Sequence, residues 1–311
     1  MSDRPAPPAA PKPAPSALSP MSAGDTRRGF LFALSAYTIW GALPLYLKAL
    51  EHVPVLEVLA HRIVWSVPVA LAILFVLGRT ADLRAAFRAP RVIGMAAVTA
   101  ALVSVNWGAY FWSIQSGQAV EAALGYYINP LFSILLGALF LGERLSLRQW
   151  LAVGLAAIAV AVLTIEAGRL PILALTMTVT WGFYALFKRA LPVGPNQGFT
   201  LEVLILMPFA LGLAVWLHLQ GGLHFASAAA MDVALLLGCG VVTAVPLMLY
   251  ANGAKGLTLS TIALMQYIAP SFIFLIAVFV FGEEMGLGRL VAFPLIWAAL
   301  VLYTSEVLRR R

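Results

Sequence analysis

The sequence predicts an all-α polytopic membrane protein whose ten transmembrane helices form two inverted five-helix repeats, and three observations carry that prediction. The 311 residues are 62% hydrophobic and only 11% charged, with a mean hydropathy of +0.93, a composition that keeps no water-soluble domain of this size dispersed. The apolar residues gather into stretches of about twenty, the length that crosses a hydrocarbon core of about 30 Å at 1.5 Å per helical residue. Finally, the stretch "EAALGYYINPLFSILLGALFLGE" at 121–143 returns 140 residues later as "TIALMQYIAPSFIFLIAVFVFGE" at 261–283.

Taken in order, the apolar runs place helices near 29–47, 55–77, 92–113, 119–141 and 147–166, then near 170–187, 198–218, 231–252, 259–281 and 289–308. Ahead of them, residues 1–26 are rich in Pro, Ala and Ser without an apolar stretch, which reads as a disordered cytoplasmic tail rather than a signal peptide. The "TRRGFLF" that follows has the look of a twin-arginine signal, but its arginines serve equally well as anchors on the inner side. With both termini in the cytoplasm, sixteen Lys and Arg fall in inner segments, against Lys48, Arg169 and Arg289 in outer ones, so the charge bias sets the orientation.

Aligned without a gap, the two copies share Ala123, Leu124, Tyr127, Ile128, Pro130, Phe132, Leu135, Gly142 and Glu143. The halves also begin alike, with "TIWG" and Lys48 in one, "TVTWG" and Lys188 in the other, and "LEVL" at 56 and 201. Five spans is an odd number, so the second copy enters the membrane from the opposite side. The expected domains are therefore the tail, a first repeat at 27–167 and a second at 168–308. A two-fold axis in the membrane plane puts a binding site near the bilayer midplane, between the halves, as in alternating-access carriers. The prolines Pro130 and Pro270 are expected to bend paired helices around it.

Polar residues present in one half alone are the better candidates for chemistry. Arg62, in "LEVLAHRIVWSVPVAL", lies about seven residues into the second span, where a charge costs about 2.5–3.5 kcal/mol on insertion scales. It either snorkels or pairs structurally, or it meets an anionic substrate group in a wet cavity. Glu57 is five residues away, about 140° around the helix, and so is poorly placed as its partner. Glu57, His61 and Trp65 do share a face, and Glu57 with His61 is a candidate proton relay. Glu57 recurs as Glu202, which gives it a structural share, whereas Arg62 is Met207 in the second half. Glu121 and Asn129 become Thr261 and Ala269. Glu121 is a third coupling candidate or an interfacial carboxylate. Asn129 binds a ligand or repairs the carbonyl freed by Pro130. Trp107, Tyr110 and Tyr126 are candidate walls of an amphipathic pocket, with Asn106 and Gln266 as weaker polar candidates. Trp40, Trp181 and Tyr250 read as packing or interfacial aromatics.

Other classes fare poorly. The formal charge of +7 and pI near 9.8 need a basic stripe on a folded face to mean nucleic acid, and the basic residues lie between apolar runs instead. The sole cysteine, Cys239, allows no disulfide within the chain. GxxxxGK[ST], HExxH and GxSxG are absent, and "GCG" is too short for a phosphate loop, so no ATPase, cofactor or metal chemistry is expected.

"AYTIWG", "HRIVWS", "EAALGYYINPL" with "GERLSLRQWLAV", and "LMQYIAPSFIF" followed by "GEE" resemble permeases of the EamA type in the drug/metabolite transporter superfamily, over residues 27–308. The resemblance implies a multi-pass inner-membrane exporter with two EamA repeats and leaves the substrate unnamed. The expectation is a secondary-active transporter of a small anionic or zwitterionic amphipathic metabolite or drug. Arg62, Asn129, Trp107, Tyr110 and Tyr126 would bind it, and Glu57, His61 and Glu121 are the coupling candidates. The rival classes are a non-transporting membrane scaffold or sensor and an intramembrane enzyme. Its partners would be the solute and membrane lipid, not nucleic acid, and a homodimer is left open because small residues are too common on the spans to name a face.

Overall fold

A computed structural model of the chain describes residues 26–141, 145–226, 228–254, 256–257, 261 and 265–309, and every described element is helical. Most of the tail, Gly142, Glu143, Arg144, Lys255, Arg310 and Arg311 lie outside the described residues. The elements are α1 (Arg27–Lys48), α2 (Val55–Val76), α3 (Thr80–Phe87), α4 (Pro90–Gln115), α5 (Ala119–Leu141), α6 (Leu147–Ala167), α7 (Ile172–Ala190), α8 (Pro195–Leu219), α9 (Ala230–Ala254), α10 (Ile268–Leu275) and α11 (Leu287–Arg309). A 3-10 turn at His224–Ala226 precedes α9, and a π-helical turn at Ile276–Val280 extends α10. Among the described residues, α1, α2, α4, α5, α6, α8, α9 and α11 are long and apolar enough to cross a membrane, and Ile172–Lys188 and Ile268–Val280 are shorter apolar helices. The protein is a multi-pass membrane protein.

The starts and stops follow local chemistry. Thr26 caps α1 by accepting from the Gly29 N–H at 3.1 Å. Ser146 and Gln149 form a reciprocal capping box on α6, and Gly168 ends that helix with a φ of 62°, a conformation favouring glycine. Pro90 and Pro195 open α4 and α8, where a missing N–H costs nothing. The short α3, with Arg79, Arg84 and Arg88 around it, was not expected from hydropathy, because eight residues are too few for a span.

The bundle is apolar outside as well as in its core. Phe75, Phe209 and Phe279 are 79%, 74% and 77% exposed on its outer surface, as suits a bundle solvated by lipid. Inside, small residues let backbones touch. A Cβ on Gly240 of α9 would sit 2.1 Å from the Trp65 carbonyl oxygen of α2, and one on Gly125 of α5 would meet the Ala174 carbonyl oxygen of α7 at 2.7 Å. In packing, α1 lies against α9 and α10, α7 against α4 and α5, α2 against α9 and α8, and α4 against α8. The pairs α5 with α10 and α6 with α11 also pack together.

One expectation needs correcting. The span expected at 259–281 is not one uninterrupted helix, since Gln266 and Tyr267 form a turn and α10 starts at Ile268. Pro270 therefore occupies the first turn of α10, whereas Pro130 sits inside the continuous α5. The two prolines are not equivalent bends: in a first turn the absent N–H removes no helical bond, and in mid-helix it frees a carbonyl.

Candidate functional site

Helices α1, α2, α4, α5, α7, α9 and α10 surround a cleft of about 830 Å³, measured to its open mouth. All five residues expected to bind a solute, Arg62, Trp107, Tyr110, Tyr126 and Asn129, line it. The weaker candidates Asn106 and Gln266 line it too, as do Trp40, Trp181 and Tyr250, which are wall residues rather than an interfacial belt.

Arg62 projects from α2 and is 3% exposed. Its Nε donates to Thr243 Oγ1 of α9 at 3.0 Å, and its guanidinium lies 4.8 Å over the Trp107 ring. Among the described residues no carboxylate lines the cleft, and Arg62 is the one charged side chain of its wall. Its Nη1 is buried without a hydrogen-bond partner among the described residues. Tyr110 OH and Asn129 Oδ1 are in the same condition, and all three belong to the cleft wall. A buried unpaired charge is costly by several kcal/mol, and each unpaired neutral group by about 1–3 kcal/mol. The wall thus presents two donors and an acceptor to whatever occupies it.

Asn106 sets the shape of one side. Its Nδ2 donates to the Met177 carbonyl at 3.1 Å and to Thr180 Oγ1 at 3.0 Å, while its Oδ1 accepts from Tyr126 OH at 3.1 Å. It joins α4, α5 and α7 and fixes the Tyr126 ring, which stands edge-on to Tyr110 at 5.6 Å. Opposite, Trp40 and Trp181, the tryptophans of the repeated "TIWG" and "TVTWG", meet at 6.3 Å. Tyr37 and Tyr250 continue the aromatic wall at 5.8 Å from each other. Positions 126 and 266, and 129 and 269, correspond under the 140-residue shift, and all four face the cleft.

The coupling candidates lie elsewhere. Glu57 is fully buried outside the cleft wall and accepts from the backbone N–H groups of His224 at 2.9 Å and Phe225 at 2.8 Å. His61 lies beside it with its Nε2 3.9 Å from Glu57 Oε1, and its Nδ1 accepts from Trp65 Nε1 at 2.9 Å. Glu121 accepts from Leu173 N at 3.0 Å and Ala174 N at 3.4 Å, which caps α7. Glu121 also borders a second, smaller cleft of about 510 Å³ with Glu166, Arg169 and Arg289. Glu283 holds the start of α5 in the same way, accepting from Ala119 N at 2.6 Å and Val120 N at 2.9 Å. Burial pushes the Glu283 carboxyl above its ordinary range in spite of those two bonds.

Sequence reasoning missed Thr243, Tyr37 and the partner of Glu202. Tyr37 lies one turn before Trp40 on the same helix face, a spacing that could have found it. Thr243 carries no such signal, since only the crossing of α9 over α2 brings it to Arg62. Glu202 does not repeat the role of Glu57: it receives Lys188 Nζ at 2.6 Å, Thr99 Oγ1 at 2.7 Å and Tyr184 OH at 3.3 Å.

Residues 27–165 match the EamA-like transporter family. Protein RarD of Streptomyces exfoliatus is 42% identical over 285 residues, covering 92% of this chain and 90% of its own. An uncharacterized transporter of Vibrio cholerae is 42% identical over 294 residues, with 92% and 94% covered. A solved crystal structure with 19% identity shares the fold at a TM-score of 0.58, covering 91% of this chain and 98% of its own.

Proposed function

The chain belongs to the EamA-like transporter family, of the RarD type, and from that premise we propose that it is a secondary-active carrier exporting a small anionic or zwitterionic amphipathic solute by alternating access. The observation that carries this reading is Arg62, buried in the cleft wall with, among the described residues, no carboxylate on that wall and no partner for its Nη1. In the proposal Arg62 receives the anionic group, Tyr110 OH donates a further bond and Asn129 Oδ1 accepts one. Trp107 and Tyr126 cover the apolar body of the solute. His61 with Glu57 is assigned to proton coupling, and Glu121 to capping α7.

The reading includes ten spans in two inverted repeats, 27–167 and 168–308, in a bacterial inner membrane with both termini cytoplasmic. The packing supports it. Counting α1, α2, α4, α5 and α6 as one half and α7 to α11 as the other, exchanging the halves maps α1 with α9 onto α7 with α4, and α1 with α10 onto α7 with α5. The same exchange maps α2 with α9 onto α8 with α4 and returns the pairs α2 with α8, α5 with α10 and α6 with α11 to themselves. A two-fold axis between halves requires such a set.

The experiment is flux of a metabolite and drug panel into and out of proteoliposomes holding the native chain, Arg62→Ala or Arg62→Lys. The expected result is an abolished flux for Arg62→Ala, partial flux for Arg62→Lys, and equal membrane insertion for all three. Native flux from Arg62→Ala would remove Arg62 from the site.

A further inference from the structure

Four histidines occur in the chain, and two of them converge on one carboxylate. His52 stands in the α1–α2 connection, His224 in the 3-10 turn before α9, and Asp232 in the first turn of α9. His52 Nε2 lies 3.0 Å from Asp232 Oδ2, across 180 residues of sequence, and His224 Nε2 lies 2.9 Å from the same oxygen. One ligand atom from each of the three residues falls within 4.8 Å of the other two, and the rings stand edge-on at 5.2 Å. We propose that His52, His224 and Asp232 form a binding site for a divalent transition-metal ion, foremost Zn²⁺, joining the ends of α1, α2 and α9.

The donor set selects the metal class. Two imidazole nitrogens and one carboxylate oxygen suit Zn²⁺ and its neighbours, whereas Mg²⁺ and Ca²⁺ favour oxygen ligands throughout. With bonds of about 2.0–2.1 Å, tetrahedral ligands lie about 3.4 Å apart. The two nitrogen–oxygen separations are a few tenths of an ångström shorter, as expected where Nε2–H groups donate to the carboxylate until a metal displaces their protons, and the two nitrogens lie within 4.8 Å of each other. A small rearrangement of the three side chains therefore admits the ion. The His52 side chain is 48% exposed, which gives the ion a path in and leaves a fourth position to water.

The ligands are held in place independently of one another. Glu57 grips the segment carrying His224 through the backbone N–H groups of His224 and Phe225. Next to His52, the Val53 carbonyl accepts from Gln115 Nε2 of α4 at 3.1 Å. Tyr46 near the end of α1 donates to the Leu235 carbonyl in α9, one turn beyond Asp232. Such anchoring organises the three ligands before any ion arrives, which raises affinity by lowering the ordering cost of binding. Because His52, His224 and Asp232 all lie outside the cleft wall, the assignment stands or falls apart from any solute chemistry.

The test uses the full chain in detergent, its affinity tag removed and its metal stripped by chelator. Zn²⁺ titration by calorimetry should give one saturable ion per chain, and Co²⁺ should give the visible absorption of a tetrahedral site. His52→Gln and His224→Gln should each abolish both signals, while His218→Gln keeps them. Added Zn²⁺ should raise the thermal midpoint of the native chain and leave that of His52→Gln unchanged. His52 is half-exposed in a connection, so its variant reports on binding even where His224→Gln unfolds. Native-like binding by His52→Gln, or no saturable ion on the native chain, would overturn the assignment.

Discussion

Arg62 and Glu57 stand five residues apart on α2 and illustrate two fates of a charge within a membrane helix. Glu57 is satisfied by two backbone donors of the 3-10 turn, whereas among the described residues the Arg62 side chain has Thr243 and the face of Trp107 and leaves Nη1 unpartnered. The first arrangement is complete and the second is open, which is why the proposed solute contact falls on Arg62. Glu57→Ala orphans the N–H groups of His224 and Phe225, at a cost of about 1–3 kcal/mol for each. The expected outcome is a lower thermal midpoint in detergent. His61→Gln keeps an acceptor for Trp65 Nε1 and removes the titrating ring, so the protein should fold normally while flux loses its dependence on pH. Measuring midpoint and flux side by side on the two variants separates the cap from the coupling group.

Among the helices, close approach and not propensity decides what can change. Gly240 admits the Trp65 carbonyl of α2 at a distance no Cβ tolerates, while Gly154 of α6 has open space around it. Gly240→Ala is expected to push α9 away from α2 and cost about 1–3 kcal/mol by overpacking, disturbing the Arg62–Thr243 bond with it. Gly154→Ala should be neutral or stabilise by up to about 1 kcal/mol, because alanine is the better helix former. Thermal unfolding of the two variants under identical detergent conditions checks the contrast. Elements also explain the unequal prolines. Residues 121–143 and 261–283 are similar in sequence, yet α5 runs through Pro130 and α10 begins two residues before Pro270.

Over the whole molecule, the symmetric packing of α1–α2 and α4–α6 against α7–α11 agrees with a repeat entering the membrane from opposite sides. The orientation proposed from sixteen inner and three outer basic residues is open to direct measurement. Green fluorescent protein fused after Arg311 should fluoresce, and alkaline phosphatase fused there should be inactive. The same phosphatase inserted between Arg169 and Pro171, in the α6–α7 connection, should be active. An active phosphatase at the C-terminus would invert the orientation and, with it, the direction assigned to transport. At this scale the cleft joins both halves, since α1, α2, α4 and α5 supply one side of its wall and α7, α9 and α10 the other.

The sequence by itself determined the helical membrane class, most helix positions, the repeat, the family resemblance and the oddity of Arg62, because hydropathy, charge and self-similarity are written along the chain. It also named the five proposed solute contacts, since an isolated polar or aromatic residue in an apolar span is visible without a fold. Only the tertiary structure decided what those residues meet. Thr243 reaches Arg62 across 181 residues, and Asp232 reaches His52 across 180. Glu57 and Glu121 are helix caps because the donors they satisfy begin segments far along the chain, at His224 and Leu173. Partnership depends on which helices cross and how closely, and that follows from packing of the whole bundle rather than from any local pattern.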